Sequence, residues 1–126
     1  MLDTHVWLWL LTAPHRVPAE SLEILADGAN HLYLSAASAW EIAIKYQLGK
    51  LPLPSPPADF VPSRLDRDGI LPLAVTVRHV LLTGELPLLH RDPFDRLLVA
   101  QARAEGMALF TADPKVAAYG GPVVQL

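Results

Sequence analysis

Short apolar segments alternate with helix-like segments along the chain, and this alternation restricts the fold more than any single motif. Residues 31–35, 70–75, 108–111 and 123–126 read as strands, and Leu2-Asp3 ends a very short apolar start. Between them, residues 6–11, 18–26, 37–48, 58–65, 77–82, 93–105 and 114–119 read as helices. Pro18 stands near one helix start and Gly28 follows its end. Trp40, Ile44 and Leu48 recur at helical spacing before Gly49. The segment 93–105 is the clearest: Asp92 can cap it, Pro93 sits at its first position and Gly106 closes it. Strands separated by helices imply a parallel sheet with helices on both faces, an α/β three-layer architecture with right-handed crossovers. Only two residues precede Asp3, whereas a buried parallel strand usually has about five or six. The expectation is a first strand truncated on its amino-terminal side, from a late start or trimming, and a sheet weakly paired there.

Composition narrows the class. The 126 residues suit one domain, and 52% of them are apolar against 18% charged, which favours a filled core over disorder. With no cysteine, thiolate metal sites, disulfides and cysteine nucleophiles are excluded, and a reducing cytoplasm is the expected setting. The apolar run at 6–11 is far shorter than the roughly 20 residues a membrane span needs, and no signal peptide or membrane role is expected. The proline-rich stretch 51–57 reads as a stiff connector. The net charge of −3 counts mildly against a nucleic-acid partner unless a bound metal supplies local positive charge.

The acids carry the chemistry. In a parallel sheet, ligands bind beyond the carboxyl ends of the strands. Asp3 and Asp113 follow strands directly. Glu41, Asp92 and Asp95 begin helices at that same edge, while Glu20, Glu23, Glu85 and Glu105 do not. Each acid has an ordinary explanation on its own. Asp3, Asp92 and Asp113 can cap helices, Asp95 suits a helix start, and Glu41 can pair with Lys45 four residues on. Those explanations do not account for the shared rim. Two carboxylates about 5 Å apart repel by roughly 3 kcal/mol at an effective dielectric near 20, so a proton or a cation must join them. Oxygen ligands select a hard ion, Mg²⁺ or Mn²⁺, whose waters suit phosphodiester hydrolysis. Thr4, Ser35, Ser38 and Thr111 are candidate hydrogen-bond donors to the acids, with helix capping the simpler reading for Ser38. His5, His90, Arg91 and Arg96 lie near the rim. For the histidines, packing or phosphate contact ranks above catalysis, and the two arginines are candidate RNA-phosphate contacts.

Four stretches carry a resemblance: residues 2–9 (LDTHVWLW), 34–45 (LSAASAWEIAIK), 90–102 (HRDPFDRLLVAQA) and 109–113 (LFTAD). Together they resemble the PIN domain, and within it the VapC-type toxins of type II toxin–antitoxin systems. The resemblance implies a single PIN-like domain over 1–126 with a parallel five-stranded sheet, order 3-2-1-4-5. It implies Asp3, Glu41, Asp95 and Asp113 as the acidic quartet, with Asp92 as a possible outer ligand. It further implies a toxin endoribonuclease in which one or two Mg²⁺ activate water, a homodimer, and neutralisation by a small cognate antitoxin.

Two rival readings remain at this level. A non-catalytic binding module could keep the same acidic rim. A phosphatase could use Asp3 as nucleophile, although it would prefer an acid where His5 stands and would rely on Lys115. The first helix, apolar on every face through Val6, Trp7, Leu8, Trp9, Leu10 and Leu11, needs a second cover: neighbouring helices, a dimer mate or the antitoxin. Trp7 and Trp9 point to opposite sides, which makes one of them a candidate partner contact.

Overall fold

The computed structural model describes residues 1–126. Along the chain come α1 (Thr4–Thr12), α2 (Ala19–Ala26), β1 (Tyr33–Ser35), α3 (Ala36–Gln47), α4 (Pro57–Asp68), β2 (Leu71–Leu73), α5 (Val77–Leu82), α6 (Pro93–Glu105), β3 (Leu109–Thr111), α7 (Pro114–Ala117) and β4 (Val123–Gln125). Single 3-10 turns lie at Pro14–Arg16 and Thr83–Glu85.

The strands form two parallel pairs, β1 with β2 and β3 with β4. Leu34 faces Pro72 in the first pair and Phe110 faces Val124 in the second. Leu2 lies between the pairs, with parallel bridges to Leu34 and to Phe110. Its N–H donates to the Tyr33 carbonyl at 3.0 Å, the Asp3 N–H donates to Phe110 at 2.9 Å, and the Phe110 N–H donates to Met1 at 3.0 Å. The expected first strand is therefore a bridge one residue long, and α1 starts at once behind Asp3.

Apolar side chains divide between the two faces of these strands because consecutive residues of an extended chain point to opposite sides. Leu2, Leu34 and Phe110 pack with Val6 and Trp7 of α1, Leu25 of α2, Ile42 of α3 and Phe60 and Val61 of α4. Met1 and Leu109 pack with Leu98, Val99, Ala100 and Ala102 of α6, Val116 of α7 and Tyr119. Leu2 is fully buried and joins the two strand pairs. Leu2→Ala is therefore expected to cost 3–5 kcal/mol, the upper part of the roughly 2–5 kcal/mol range for a buried Leu→Ala change. Urea unfolding measures this, and a loss below about 1 kcal/mol would show that the bridge residue is not a keystone.

Two expectations are corrected, for the segment 70–75 and for α4. The segment 70–75 is not a buried strand: only Leu71–Leu73 is extended, with Leu71 and Pro72 exposed. It pairs on one side only, and an edge is where a proline without an N–H is tolerated. The helix expected from Trp40, Ile44 and Leu48 forms as α3, with Ile44 partly buried. Trp40 is 62% exposed and Leu48 61%, and the helix turns Ala37, Ser38, Glu41 and Ile42 inward. α4 starts at Pro57 and runs past 65 to Asp68, where Gly69 at φ 65° closes it in the left-handed region. The proline-rich connector therefore ends by supplying the first helical residue, a position where the missing N–H costs nothing.

Candidate active site

Asp3 enters the site because Leu2 is pinned in the sheet and α1 begins behind it. It caps α1 through Oδ1, which accepts the His5 N–H at 3.3 Å, and is only 4% exposed. Its Oδ2 accepts the Thr111 hydroxyl at 2.6 Å, while the Thr111 oxygen accepts the Asp113 N–H at 3.0 Å. One threonine at the end of β3 thus fixes both acids. Asp113 caps α7, its Oδ1 taking the Lys115 N–H at 2.8 Å. Asp92 caps α6 through Oδ1, which accepts from Phe94 and Asp95. Capping and ion binding are therefore compatible: at Asp92 and Asp113 a cap occupies one carboxylate oxygen and leaves the other available. Glu41 comes in from α3. It is 5% exposed and its Oε2 lies 2.8 Å from Lys45 Nζ, so the pair is no surface ornament.

His90 ties the acids together. Its Nε2 lies 2.7 Å from Asp95 Oδ2 and 3.4 Å from Asp113 Oδ2. Ligand atoms of His90, Asp95 and Asp113 all fall within 4.8 Å of one another. The electrostatics are those of crowded carboxylates. Burial pushes the Asp95 carboxyl up to about 7, with the charges of Asp3 and Asp92 adding to the rise and the His90 bond opposing it. Burial also raises Asp3; its bonds from Thr111 and His5 pull the other way, and Glu41 contributes a smaller upward push. Burial and neighbouring acids thus disfavour the charged forms of Asp3 and Asp95, a cost that a bound cation would offset. An oxygen-rich, strained set of this kind fits a hard divalent cation.

A family model described as the PIN domain matches residues 1–122. The chain belongs to the PIN domain family. Over 73 residues it is 51% identical to Ribonuclease VapC16 of Mycobacterium tuberculosis (strain ATCC 25618 / H37Rv). That stretch is 52% of this chain and 52% of the relative, so the match spans about half the length of each.

Within this PIN domain the other candidate residues separate by what they touch. Thr111 bonds Asp3 directly, whereas Thr4 donates its hydroxyl to Ser38 at 2.8 Å inside the core. Ser38 is not a helix cap: Ser35 holds that position, accepting the Ala37 N–H at 3.0 Å and donating its hydroxyl to Gln101. Arg91 is exposed and lines a depression with Glu41, Lys45, Asp92 and Phe94. Arg96 is engaged elsewhere. Its Nη1 donates to the Pro87 carbonyl and the Tyr119 hydroxyl, each at 3.0 Å, and its Nη2 to Thr83 at 2.7 Å. It pins the turn before α6 and is not free for phosphate. His5 is exposed and shares a depression with Asp3, Trp9 and Asp113.

Sequence reading placed His90 near the rim but missed its position between two acids. The signal available was the helix start: a cap at Asp92 folds the chain so that residues 90 and 95 meet. Tyr119 was missed as well, because its role depends on a contact across 29 residues, where its hydroxyl accepts the His90 N–H at 3.1 Å.

Proposed function

We propose that this PIN domain is a toxin endoribonuclease that hydrolyses RNA phosphodiester bonds and is held in check by a cognate antitoxin. One observation carries the reading: Asp95 and Asp113 meet around His90, and Asp95 is raised to about 7 by burial and by the charges of Asp3 and Asp92, while Glu41 acts on Asp3. The likeness to a ribonuclease over about half the length of each protein supports it. Asp3, Glu41, Asp95 and Asp113 would hold Mg²⁺, or Mn²⁺ as substitute, with Asp92 as an outer ligand. A divalent ion held there would acidify a water for attack at neutral pH and would offset charge on the phosphate oxygens.

The chain's own residues do the rest. Thr111 ties the Asp3 carboxylate to the Asp113 backbone: its hydroxyl donates to Asp3 and its oxygen accepts the Asp113 N–H. Burial of Asp3 and Glu41 limits water around the reacting phosphate. Arg91 offers a cation on the exposed lip for a flanking phosphate. The finer fold reading is a single domain whose five parallel segments run in order 3-2-1-4-5, supported by the two bridges at Leu2.

The partner reading moves to a different surface from the one the sequence suggested. Trp7 is buried against Phe60, and Trp9 is half-buried beneath the Arg16 guanidinium. Large apolar residues lie open instead on α5 and beyond: Val77, Val80, Leu81 and Leu88. Exposed patches of this kind mark protein contacts, and they support a homodimer bound to antitoxin. No helix is long and apolar enough to cross a membrane, and a cytoplasmic setting fits the absence of cysteine.

RNA cleavage by the purified protein tests the function. Activity should appear with millimolar Mg²⁺ or Mn²⁺ and vanish with EDTA. Asp95→Asn should reduce it far more than Asp92→Asn, because an asparagine at 92 keeps the oxygen that caps α6. Equal losses would show that the two acids share one role, and metal-independent cleavage would remove the proposal's basis.

A further inference from the structure

We propose that His90 supplies a nitrogen ligand to the ion held by Asp95 and Asp113, so that the site is of mixed nitrogen and oxygen character. The inference rests on the metal-site reading above and deepens it. Neighbouring ligand atoms around an octahedral ion at about 2.1 Å stand about 3 Å apart. The His90 Nε2 distances to Asp95 and Asp113, 2.7 and 3.4 Å, bracket that spacing. Small side-chain rotations therefore make room for an ion in place of the hydrogen bond.

The three donors come from three places whose backbones are fixed independently of the ion. Asp95 stands in the first turn of α6 and Asp113 caps α7. Asp113 spends Oδ1 on that cap, so Oδ2, the oxygen facing His90, is its free donor. His90 is held from behind: its N–H donates to the Tyr119 hydroxyl, which also takes a bond from Arg96, and Arg96 grips the carbonyls of Thr83 and Pro87. The ring reaches the acids from a braced loop and its side chain is only 14% exposed.

The chemical consequence is selectivity. Carboxylate oxygens alone suit Mg²⁺, whereas an imidazole nitrogen favours the later first-row divalent ions, and Mn²⁺ already accepts it better than Mg²⁺ does. His90 thus shifts this site away from Mg²⁺ and towards the first-row divalent ions, Mn²⁺ among them.

Pulsed electron paramagnetic resonance on the full chain loaded with Mn²⁺ reads the ligand directly. A bound imidazole imprints ¹⁴N modulation on the Mn²⁺ signal, which changes to the ¹⁵N pattern when the protein carries ¹⁵N-histidine. His90→Gln should lose the nitrogen signal while still binding Mn²⁺, and His5→Gln should keep it. Calorimetry should show the Mn²⁺/Mg²⁺ affinity ratio falling by about tenfold or more in His90→Gln, since even residues that only orient a ligand change affinity by about that much. Mn²⁺ bound to the wild-type chain without nitrogen modulation overturns the His90 assignment and leaves the nuclease reading standing. Failure of Mn²⁺ to bind at all overturns both. The labelled wild-type measurement decides the question even if His90→Gln folds poorly.

Discussion

Asp3→Asn should abolish RNA cleavage, lowering the rate by about a thousandfold or more, while the protein remains folded. The size follows from what the carboxylate is asked to supply. A metal site stabilises transition-state charge by several kcal/mol, and a loss of about 4 kcal/mol is a thousandfold in rate. Retention of the fold follows from its partners. The asparagine oxygen can still accept the Thr111 hydroxyl, so the short bond across the chain survives. The amide lacks the charge whose burial the protein resists, and Leu2 and Thr4 on either side keep their places in the core. The decisive comparison is therefore rate against melting temperature on the same preparation. Loss of both together would mean that Asp3 acts mainly as a structural cap. Retention of activity would exclude it from the chemistry.

The site was readable in the sequence to the extent that it depends on local signals. Asp-Pro pairs at 92–93 and 113–114 announce helix starts, and a helix that follows or leads into a parallel strand starts at the carboxyl edge of the strands, where ligands bind. That is enough to bring Asp3, Asp92, Asp95 and Asp113 to one rim without knowing a single contact. Glu41 is placed at the same edge by its position early in α3, but its burial was not legible, because Glu41 and Lys45 four residues apart look like any exposed ion pair until the side chain proves to be 5% exposed. The inward face of α3 was not legible for a related reason. It contains Ser38 and Glu41, used by the core and the site, so the most apolar stripe is the one left outside. Periodicity reports where apolar residues recur, not which partner covers them.

Contacts between distant segments were illegible for a different reason. Arg96 resembles a phosphate ligand by type and position, and only the folded chain shows its donors saturated by the turn at 83–87 and by Tyr119. The edge strand was overestimated because 70–75 has the apolar content of a buried strand, while burial depends on how many neighbours the strand has. β2 has one.

Asp95→Asn should stabilise the ion-free protein at neutral and alkaline pH while destroying its response to metal. Asp95 has a carboxyl raised to about 7 by burial and by Asp3 and Asp92, against an ordinary value of 3.8. An acid that holds its proton more tightly folded than unfolded favours folding most below its unfolded value. That contribution is lost as pH rises through its folded value. The ion-free wild type should thus lose stability between about pH 4 and pH 7. Some three pH units at 1.36 kcal/mol each set a ceiling of about 4 kcal/mol, and sharing of charge with His90, Asp3 and Asp92 reduces the expected loss to about 2 kcal/mol. Asparagine cannot ionise, so it escapes the loss and still offers His90 an oxygen. Its melting temperature at pH 8 should exceed wild type by about 6–8 °C, with the difference closing towards pH 4. Metal reverses the order. An ion at ten times its Kd adds roughly 1.4 kcal/mol to the wild type, and more at higher excess, because it neutralises the same charges. The variant, missing a ligand, gains little. Crossing of the two stability curves on adding Mn²⁺ at pH 8 is the signature of an acid kept for the ion rather than for the fold. If the ion-free variant is the less stable of the two at pH 8, the ionised Asp95 is already satisfied by His90 and the crowding of carboxylates is not what the ion relieves.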